Sequence, residues 1–407
     1  MNCRHCCAPL SDVFLDLGNA PPSNAYLTAE TLRMPEMTFP LKLFVCSQCR
    51  LVQTEDYADA DMLFQSDYAY FSSTSKSWLS HAAEYCTMIS QRLGLSKDSF
   101  VIEIASNDGY LLKNFVTDGT PCVGIEPTGD TATFAESLGV PVIREFFGEA
   151  LGRKLADEGQ QADLVIGNNV YAHVPDINDF TKGITAVLKP EGICTLEFPH
   201  LMRLVEFSQF DTVYHEHYSY LSLIAVSKIF TAAGLRVFDV EEISTHGGSL
   251  RVYGCREGAT IATLPNVARV MSAECERGME TDEFYRSFQQ SADRVKNDLL
   301  GFLLEQKKLG KTVSAYGAAA KGNTLLNYAG VKPDLLGVVY DAAKAKQHKF
   351  MPASHIPIRP PSELPASRPD YIVVLPWNIF AEVEQQLAPL HALGTRFVTA
   401  VPELTIR

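Results

Sequence analysis

Two short cysteine pairs, Cys3-Arg-His-Cys6 and Cys46-Ser-Gln-Cys49, are separated by 39 residues at the start of the chain. No other feature restricts the fold so tightly. Each C-x-x-C turn sets two sulfurs on one side of a metal ion, and two such turns complete a tetrahedral thiolate site. The apolar run Leu41-Lys-Leu-Phe-Val45 leads into the second pair, as in a zinc ribbon. The intervening segment carries Pro21, Pro22, Pro35 and Pro40 among polar residues. It is expected to form little core alone, so that metal binding supplies folding energy. Neither pair lies in the strand–helix–strand setting of a redox C-x-x-C. The expectation is one structural Zn2+ on Cys3, Cys6, Cys46 and Cys49, with no open position for catalysis. His5 and Cys7 are the alternative ligands within reach. The six scattered cysteines, Cys7, Cys86, Cys122, Cys194, Cys255 and Cys275, read as buried small hydrophobes.

A chain of 407 residues exceeds the roughly 250–300 residues of a single core. Three domains are expected, over 1–72, 73–283 and 284–407. No apolar run reaches the ~18–20 residues of a membrane span. The opening M-N-C-R-H-C-C-A-P-L lacks the apolar stretch of a secretory signal, so a cytoplasmic protein is expected. A net charge of −13 argues against nucleic acid as a partner, which requires a basic face. A small anionic ligand needs only a local positive pocket.

In the middle of the chain, Trp78, Ala82, Tyr85 and Ile89 share one face of a helix expected over 74–94. A short apolar strand over 100–104 then runs into Ala105-Ser-Asn-Asp-Gly109 and a second helix. Further buried strands are expected over 121–127, 162–169 and 192–199. This is a doubly wound α/β pattern, in which ligands bind beyond the carboxyl ends of the strands. The turn has one glycine where G-x-G-x-x-G has three, which hinders a pyrophosphate. A cofactor with a ribose and no pyrophosphate fits better, and S-adenosylmethionine is one. Glu103, Ser106, Asn107 and Gly109 at the turn, Glu126 at the next strand end, and Asn168 and Asn169 after the third strand are its candidate contacts. The competing readings are a nucleotide dehydrogenase and, for Glu126, a solvated loop carboxylate. His173 lies on the same sheet edge, where a structural and a catalytic role weigh evenly.

Residues 213–220, V-Y-H-E-H-Y-S-Y, lie between helices expected over 201–207 and 222–234. The histidines are two apart, so this is not the H-E-x-x-H zinc motif. In an extended segment His215 and His217 face one way and Tyr214, Glu216 and Tyr218 the other. Burying so many polar groups without partners is costly, and their place on a loop at the sheet edge favours function over packing. Further on, T-H-G-G-S-L-R-V-Y (245–253) reads as a glycine turn into a strand. A long polar helical region follows over about 280–308. Strands expected over 312–317, 335–341, 355–358, 371–375 and 396–400 make a second Rossmann-like sheet. Its first turn, Gly317-Ala-Ala-Ala-Lys321-Gly-Asn-Thr324, offers backbone N–H groups and a cation to phosphate, without the Walker order. Lys344 and Lys346 could add charge or be solvated. The Pro-rich stretch 357–365 reads as a loop.

Taken in order, the two C-x-x-C pairs, Y-A-Y-F-S-S-T-S (68–75), E-I-A-S-N-D-G, N-N-V-Y-A-H-V-P-D, Y-H-E-H-Y-S-Y, H-G-G-S-L-R-V-Y and A-Y-G-A-A-A-K-G-N-T resemble the zinc-containing sugar C-methyltransferases. That family installs a branch methyl on nucleotide-activated deoxysugars, and the resemblance spans essentially the whole chain. It implies a zinc domain, a class I S-adenosylmethionine-dependent methyltransferase domain and a C-terminal Rossmann-like domain. It also implies a nucleoside-diphospho 4-keto-6-deoxysugar substrate, deprotonated at C3 to an enolate. By the same resemblance His217 is the base, Tyr214, Glu216 and His173 accompany it, and Tyr68 or Tyr70 adds a phenol. His246, Lys321, Asn323 and Lys346 are the expected substrate contacts. The chemistry agrees, because enolisation needs a base near neutral pKa and donors for the oxyanion. Glu216 is expected to orient a histidine, which requires a bent loop if it shares a pocket with His217. An O- or N-methyltransferase, or a non-catalytic zinc-ribbon adaptor, are the rival classes. Nothing in these motifs speaks to oligomeric state.

Overall fold

A computed structural model describes residues 1–55, 71–74 and 76–407. The expected Tyr68 and Tyr70 lie outside the described residues. Near the start, β1 (Asp12–Ala20), β2 (Phe39–Val45) and β3 (Val52–Thr54) form antiparallel pairs. Along β2 the buried positions alternate as Leu41, Leu43 and Val45, the period of a half-buried strand. The segment between the cysteine pairs does contribute to a core, though not alone. It does so by borrowing a partner. Phe14 of β1 stacks on Phe288 at 4.9 Å with an interplanar angle of 7°, at the start of the helix Phe288–Lys308. Local composition could not reveal a partner more than 270 residues away.

The middle sheet contains β4 (Val101–Ile104), β5 (Cys122–Ile125), β6 (Val142–Ile143), β7 (Ala162–Asn168) and β8 (Leu188–Pro199). After β9 (Ser219–Tyr220) it is completed by β10 (Leu235–Ile243) and β11 (Ser249–Arg256). The order is β6-β5-β4-β7-β8-β11-β10. β4 to β8 run parallel, and β11 is antiparallel to both β8 and β10. This is the class I methyltransferase sheet. All four residues of β4 and of β5 are buried, as expected for strands covered by helices on both faces. Strand order reverses between β4 and β7, which opens a ligand crevice at their carboxyl ends. β9 leaves this sheet and pairs with β3 instead, so the Y-H-E-H segment ends as an edge strand of the N-terminal sheet.

The C-terminal sheet contains β12 (Val313–Tyr316), β13 (Val339–Tyr340), β14 (Ile358–Arg359), β15 (Tyr371–Val374), β16 (Arg396–Thr399) and β17 (Thr405–Ile406). Its order is β14-β13-β12-β15-β16-β17, parallel except for the last pair. Two strands are shorter or displaced. β13 keeps only the last part of 335–341, because Leu335 and Leu336 are spent in a turn closed on Lys332 O. β14 falls inside the Pro-rich stretch 357–365, where Pro357 and Pro360 bracket and limit the ladder. The polar region near 280–308 is two helices, Asp282–Arg286 and Phe288–Lys308. Of the scattered cysteines, Cys86, Cys122, Cys194 and Cys255 are buried, but Cys7 and Cys275 are exposed. Among the described residues, no helix is long and apolar enough to cross a membrane.

Candidate active site

The sulfurs of Cys3, Cys6, Cys46 and Cys49 lie within 4.8 Å of one another. Cys3 Sγ is 3.5 Å from Cys49 Sγ, and Cys6 Sγ is 3.4 Å from Cys46 Sγ. Tetrahedral zinc-thiolate bonds of ~2.3 Å would separate sulfurs by about 3.8 Å, so the cluster fits one ion after a small expansion. The cluster alone splits its ionisation. The Cys49 thiol brings Cys3 down to about 4, while burial raises Cys6 to about 11. A divalent cation lets all four ionise. His5 turns away, with Nδ1 2.8 Å from Asn178 Oδ1.

Beyond β4, the expected cofactor contacts converge. Ala105, Asn107 and Gly109 have positive φ values of 55, 50 and 74°, which sharpens the turn at the strand end. A Cβ on Gly124 would collide with Ser106 Oγ, so the turn presses directly on β5. Glu126 accepts N–H bonds from Asn107 and Thr128, each at 2.9 Å. The amides of Ser72 and Ser73 donate to Asn107 Oδ1 and Asp108 Oδ2 at 3.0 Å, which lays the segment after the zinc domain across the turn. Burial, then the charges of Glu126 and Asp108, push the Glu103 carboxyl well above its ordinary range. Glu103 Oε2, Ser106 Oγ, Asp108 Oδ1 and both amide atoms of Asn168 are buried with no protein partner among the described residues. Unpaired acidic and amide groups around one turn suit a ligand with hydroxyls and positive charge, and S-adenosylmethionine has both.

The Y-H-E-H segment does not alternate. His217 N–H donates to Tyr214 O at 3.0 Å, and this turn brings the Tyr214 and His217 rings to 4.0 Å. His215 goes the other way, bonded to Pro40 O at 3.2 Å. The His173 ring lies 4.4 Å from His217, and Tyr218 N–H donates to Ala172 O at 2.8 Å. The loop is therefore bent, and His217, Tyr214 and His173 meet. Glu216 does not orient His217. Its Oε1 accepts from Ser23 at 2.8 Å and Asn24 at 3.3 Å, because the turn carries it toward the N-terminal domain. His217 is oriented instead by Thr212 O, 3.1 Å from Nδ1. A carbonyl only accepts, so Nδ1 carries the proton and a neutral ring keeps a lone pair on Nε2.

The C-terminal contacts divide. Lys321 Nζ lies 2.7 Å from Asn378 Oδ1 and 4.5 Å from the centre of the Trp377 ring. Trp377 Nε1–H donates to Asp211 Oδ2 at 2.7 Å, and burial raises Asp211 to about 6. The residue-level reading missed Asp211 and Trp377. The available signals were Asp211 two residues before Val213, and Trp377 just past the end of β15. Lys346 Nζ donates to Ala318 O at 2.8 Å. Asn323 Nδ2 donates to Ser23 O at 2.5 Å, and Thr324 Oγ1 to Val213 O at 2.7 Å. The turn after β12 thus braces the Y-H-E-H segment and the Glu216 contact.

Burial, followed by the neighbouring His173, His246 and Lys321, holds His217 well below its ordinary value. Burial also lowers His173 and His246 to about 4. These groups bind protons less readily folded than unfolded. As pH falls below 6.5 the unfolded chain protonates first, and stability drops by about 1.4 kcal/mol per pH unit for each imidazole until its folded value is reached. Thermal unfolding across pH 7 to 4 is expected to show this loss. A step that uses neutral His217 as a base is expected to show no acid limb at 6.5. A limb there, with a flat stability profile, would mean that the imidazoles are solvated.

A family model for a C-methyltransferase C-terminal domain matches residues 244–402, one for a zinc binding domain matches 3–64, and one for a methyltransferase domain matches 78–240. C-methyltransferase NovU of Streptomyces niveus is 33% identical over 395 residues, covering 96% of this chain and 94% of that protein. Among solved structures, an S-adenosylmethionine-dependent methyltransferase from Clostridium acetobutylicum ATCC 824 is similar over 49% of this chain and 96% of its own, at 11% identity and a TM-score of 0.35. Magnesium protoporphyrin IX methyltransferase (ChlM) from Synechocystis PCC 6803 is similar over 44% of this chain and 77% of its own, at 14% identity and a TM-score of 0.32.

Proposed function

The chain belongs to the zinc-binding, S-adenosylmethionine-dependent C-methyltransferases, and from that membership we propose that it methylates C3 of a nucleoside-diphospho 4-keto-6-deoxysugar through an enolate. The observation that carries this reading is the fixed tautomer of His217. Its Nδ1–H is held by Thr212 O, which leaves the Nε2 lone pair beside His173 and Tyr214. Burial keeps this imidazole neutral, so its lone pair is available to a carbon acid next to a ketone, at the cost of a basicity below that of a free imidazole. The lone pair takes the C3 proton, and the electron pair left behind delocalises onto the carbonyl oxygen. Bound S-adenosylmethionine supplies the electrophilic methyl group that such a carbon accepts. Glu103, Ser106, Asn107, Gly109, Glu126, Asn168 and Asn169 are the residues that would hold it.

Tyr214 is a phenol within reach of the same centre, and Tyr68 or Tyr70 is proposed to add another. Glu216, through Ser23 and Asn24, fixes the loop on the N-terminal domain. On the substrate side, Lys321 is the cation for the diphosphate and His246, bonded to Asn169, is a further contact. Asn323 and Lys346 act by bracing the turn around Lys321.

The test is a panel of dTDP- and GDP-linked 4-keto-6-deoxysugars incubated with the protein and S-adenosylmethionine, with products read by mass spectrometry and NMR. A methyl on ring carbon C3 is the expected result. A methyl on oxygen or nitrogen would remove the enolate step. Tight cofactor binding with no methylated sugar would move the substrate to another ketone class.

A further inference from the structure

His246 sits in the T-H-G-G turn between β10 and β11 with φ 53°, followed by Gly247 and Gly248 at φ 87 and 114°. A left-handed histidine is strained and persists only where its surroundings impose it. Here they do. A Cβ on Gly247 would collide with Trp377 and Gln209, and one on Gly248 with Arg203. The ring is carried against Asn169, itself left-handed at φ 54°, and Asn169 Nδ2 lies 3.2 Å from His246 Nε2. Asn169 is in turn held by its own N–H, which donates to Glu197 O at 2.8 Å. Two residues in unfavourable backbone conformations thus meet in one side-chain hydrogen bond at the carboxyl edge of the sheet.

An amide nitrogen donates and does not accept, so with the Asn169 Nδ2 facing the ring, His246 Nε2 is the acceptor. A neutral imidazole that accepts at Nε2 carries its proton on Nδ1. Burial, then Lys321, keeps this ring neutral over the working range. His246 bonds Asn169 in the same segment after β7 that carries His173, whose ring lies 4.4 Å from His217. The two imidazoles therefore offer opposite chemistry. His217 presents a lone pair on Nε2, and His246 presents an N–H at Nδ1. Deprotonation next to a ketone needs both, at adjacent atoms of the substrate: a base at carbon and a donor at the carbonyl oxygen.

Resting on the carbon-acid reading above, we infer that His246 is the hydrogen-bond donor to the carbonyl oxygen as it gains enolate charge, and that Asn169 is the positioning residue that fixes the donor proton on Nδ1. The balance is simple. The C–H proton passes to His217 Nε2. The C–H electron pair becomes the carbon–carbon double bond, and the carbonyl π pair moves onto oxygen. The His246 Nδ1–H bonds that oxygen and keeps its proton.

The experiment uses full-length, zinc-loaded protein with 15N-labelled histidine. One readout is the imidazole 15N–1H spectrum, with His246 assigned by its loss in His246→Asn. The other is solvent deuterium entry at the carbon beside the ketone, measured with S-adenosylhomocysteine in place of the methyl donor. Wild type is expected to show a protonated Nδ1 on His246. Asn169→Asp, whose carboxylate accepts from Nε2–H, is expected to move the proton to Nε2 and slow exchange about 10²-fold. His246→Ala is expected to slow it at least as much. His246→Asn places an N–H donor near the Nδ1 position, tolerates the left-handed backbone, and is expected to recover most of the rate. A protonated Nε2 in wild type overturns the inference whatever the substrate. So does wild-type exchange in both Asn169→Asp and His246→Ala, with S-adenosylmethionine affinity intact. If wild type exchanges no ketosugar at all, it is the carbon-acid reading that falls, and the inference falls with it.

Discussion

His217→Asn is expected to lower methyl transfer about 10³-fold, within the range of a positioned general base, while S-adenosylmethionine binds as in wild type. The two effects separate because the proposed cofactor contacts cluster at the turn after β4, whereas His217 belongs to the loop before β9. Asparagine can still donate to Thr212 O, so the loop retains the bond that shapes it. What it lacks is a basic lone pair at the Nε2 position. Deuterium entry at C3 should fall in parallel with methylation, because both require the same proton to leave. Normal turnover in this variant would sink the assignment and move the base to His173, whose ring lies 4.4 Å away.

Removing the metal is expected to have the largest effect on the fold. Structural zinc contributes roughly 10–16 kcal/mol in small zinc domains, as much as the whole stability of an ordinary domain. Cys46→Ser, or exhaustive chelation, is expected to unfold the N-terminal sheet and abolish turnover. The loss reaches the site because β3 pairs with β9 and because Ser23 and Asn24 hold Glu216. It also exposes the face of the helix Phe288–Lys308 that Phe14 covers. Metal analysis should find about one zinc per chain, the stoichiometry of a four-cysteine site. Cobalt(II) in its place should restore turnover, since a site closed by four thiolates does no chemistry. Full turnover by a metal-free chain would show that the cluster is dispensable.

The sheets were legible because their signals are local. β4, β5 and β7 are short apolar runs followed by small-residue turns, and the cysteine spacing defines the metal cluster without further context. The Y-H-E-H loop was harder. Strand alternation put His217 with His215, but one turn hydrogen bond from His217 N–H to Tyr214 O rotates them apart. No residue in that turn announces it, since glycine and proline are both absent from 213–220. The partners of Glu216 were hidden for a different reason. Ser23 and Asn24 are ordinary polar residues in a Pro-rich segment, and only the folded chain places them beside a carboxylate almost 200 residues later. Lys346 was ambiguous because a lysine near a small-residue turn fits a phosphate as well as it fits the carbonyl of Ala318. Sequence cannot decide between them.

The bracing of the Y-H-E-H loop also bears on how the protein is made. A ribosome delivers the chain from one end, and domains generally fold as units in that order. Glu216 can meet Ser23 early, but Ser23 is itself held by Asn323, and Val213 by Thr324. Phe14 must wait for Phe288. Long-range contacts of this kind form late. The nascent protein therefore completes the turn after β4 well before the bracing of the Y-H-E-H loop. The Y-H-E-H loop is braced only as the last quarter of the chain emerges, so a product terminated before Asn323 is expected to carry the turn after β4 beside an unbraced loop.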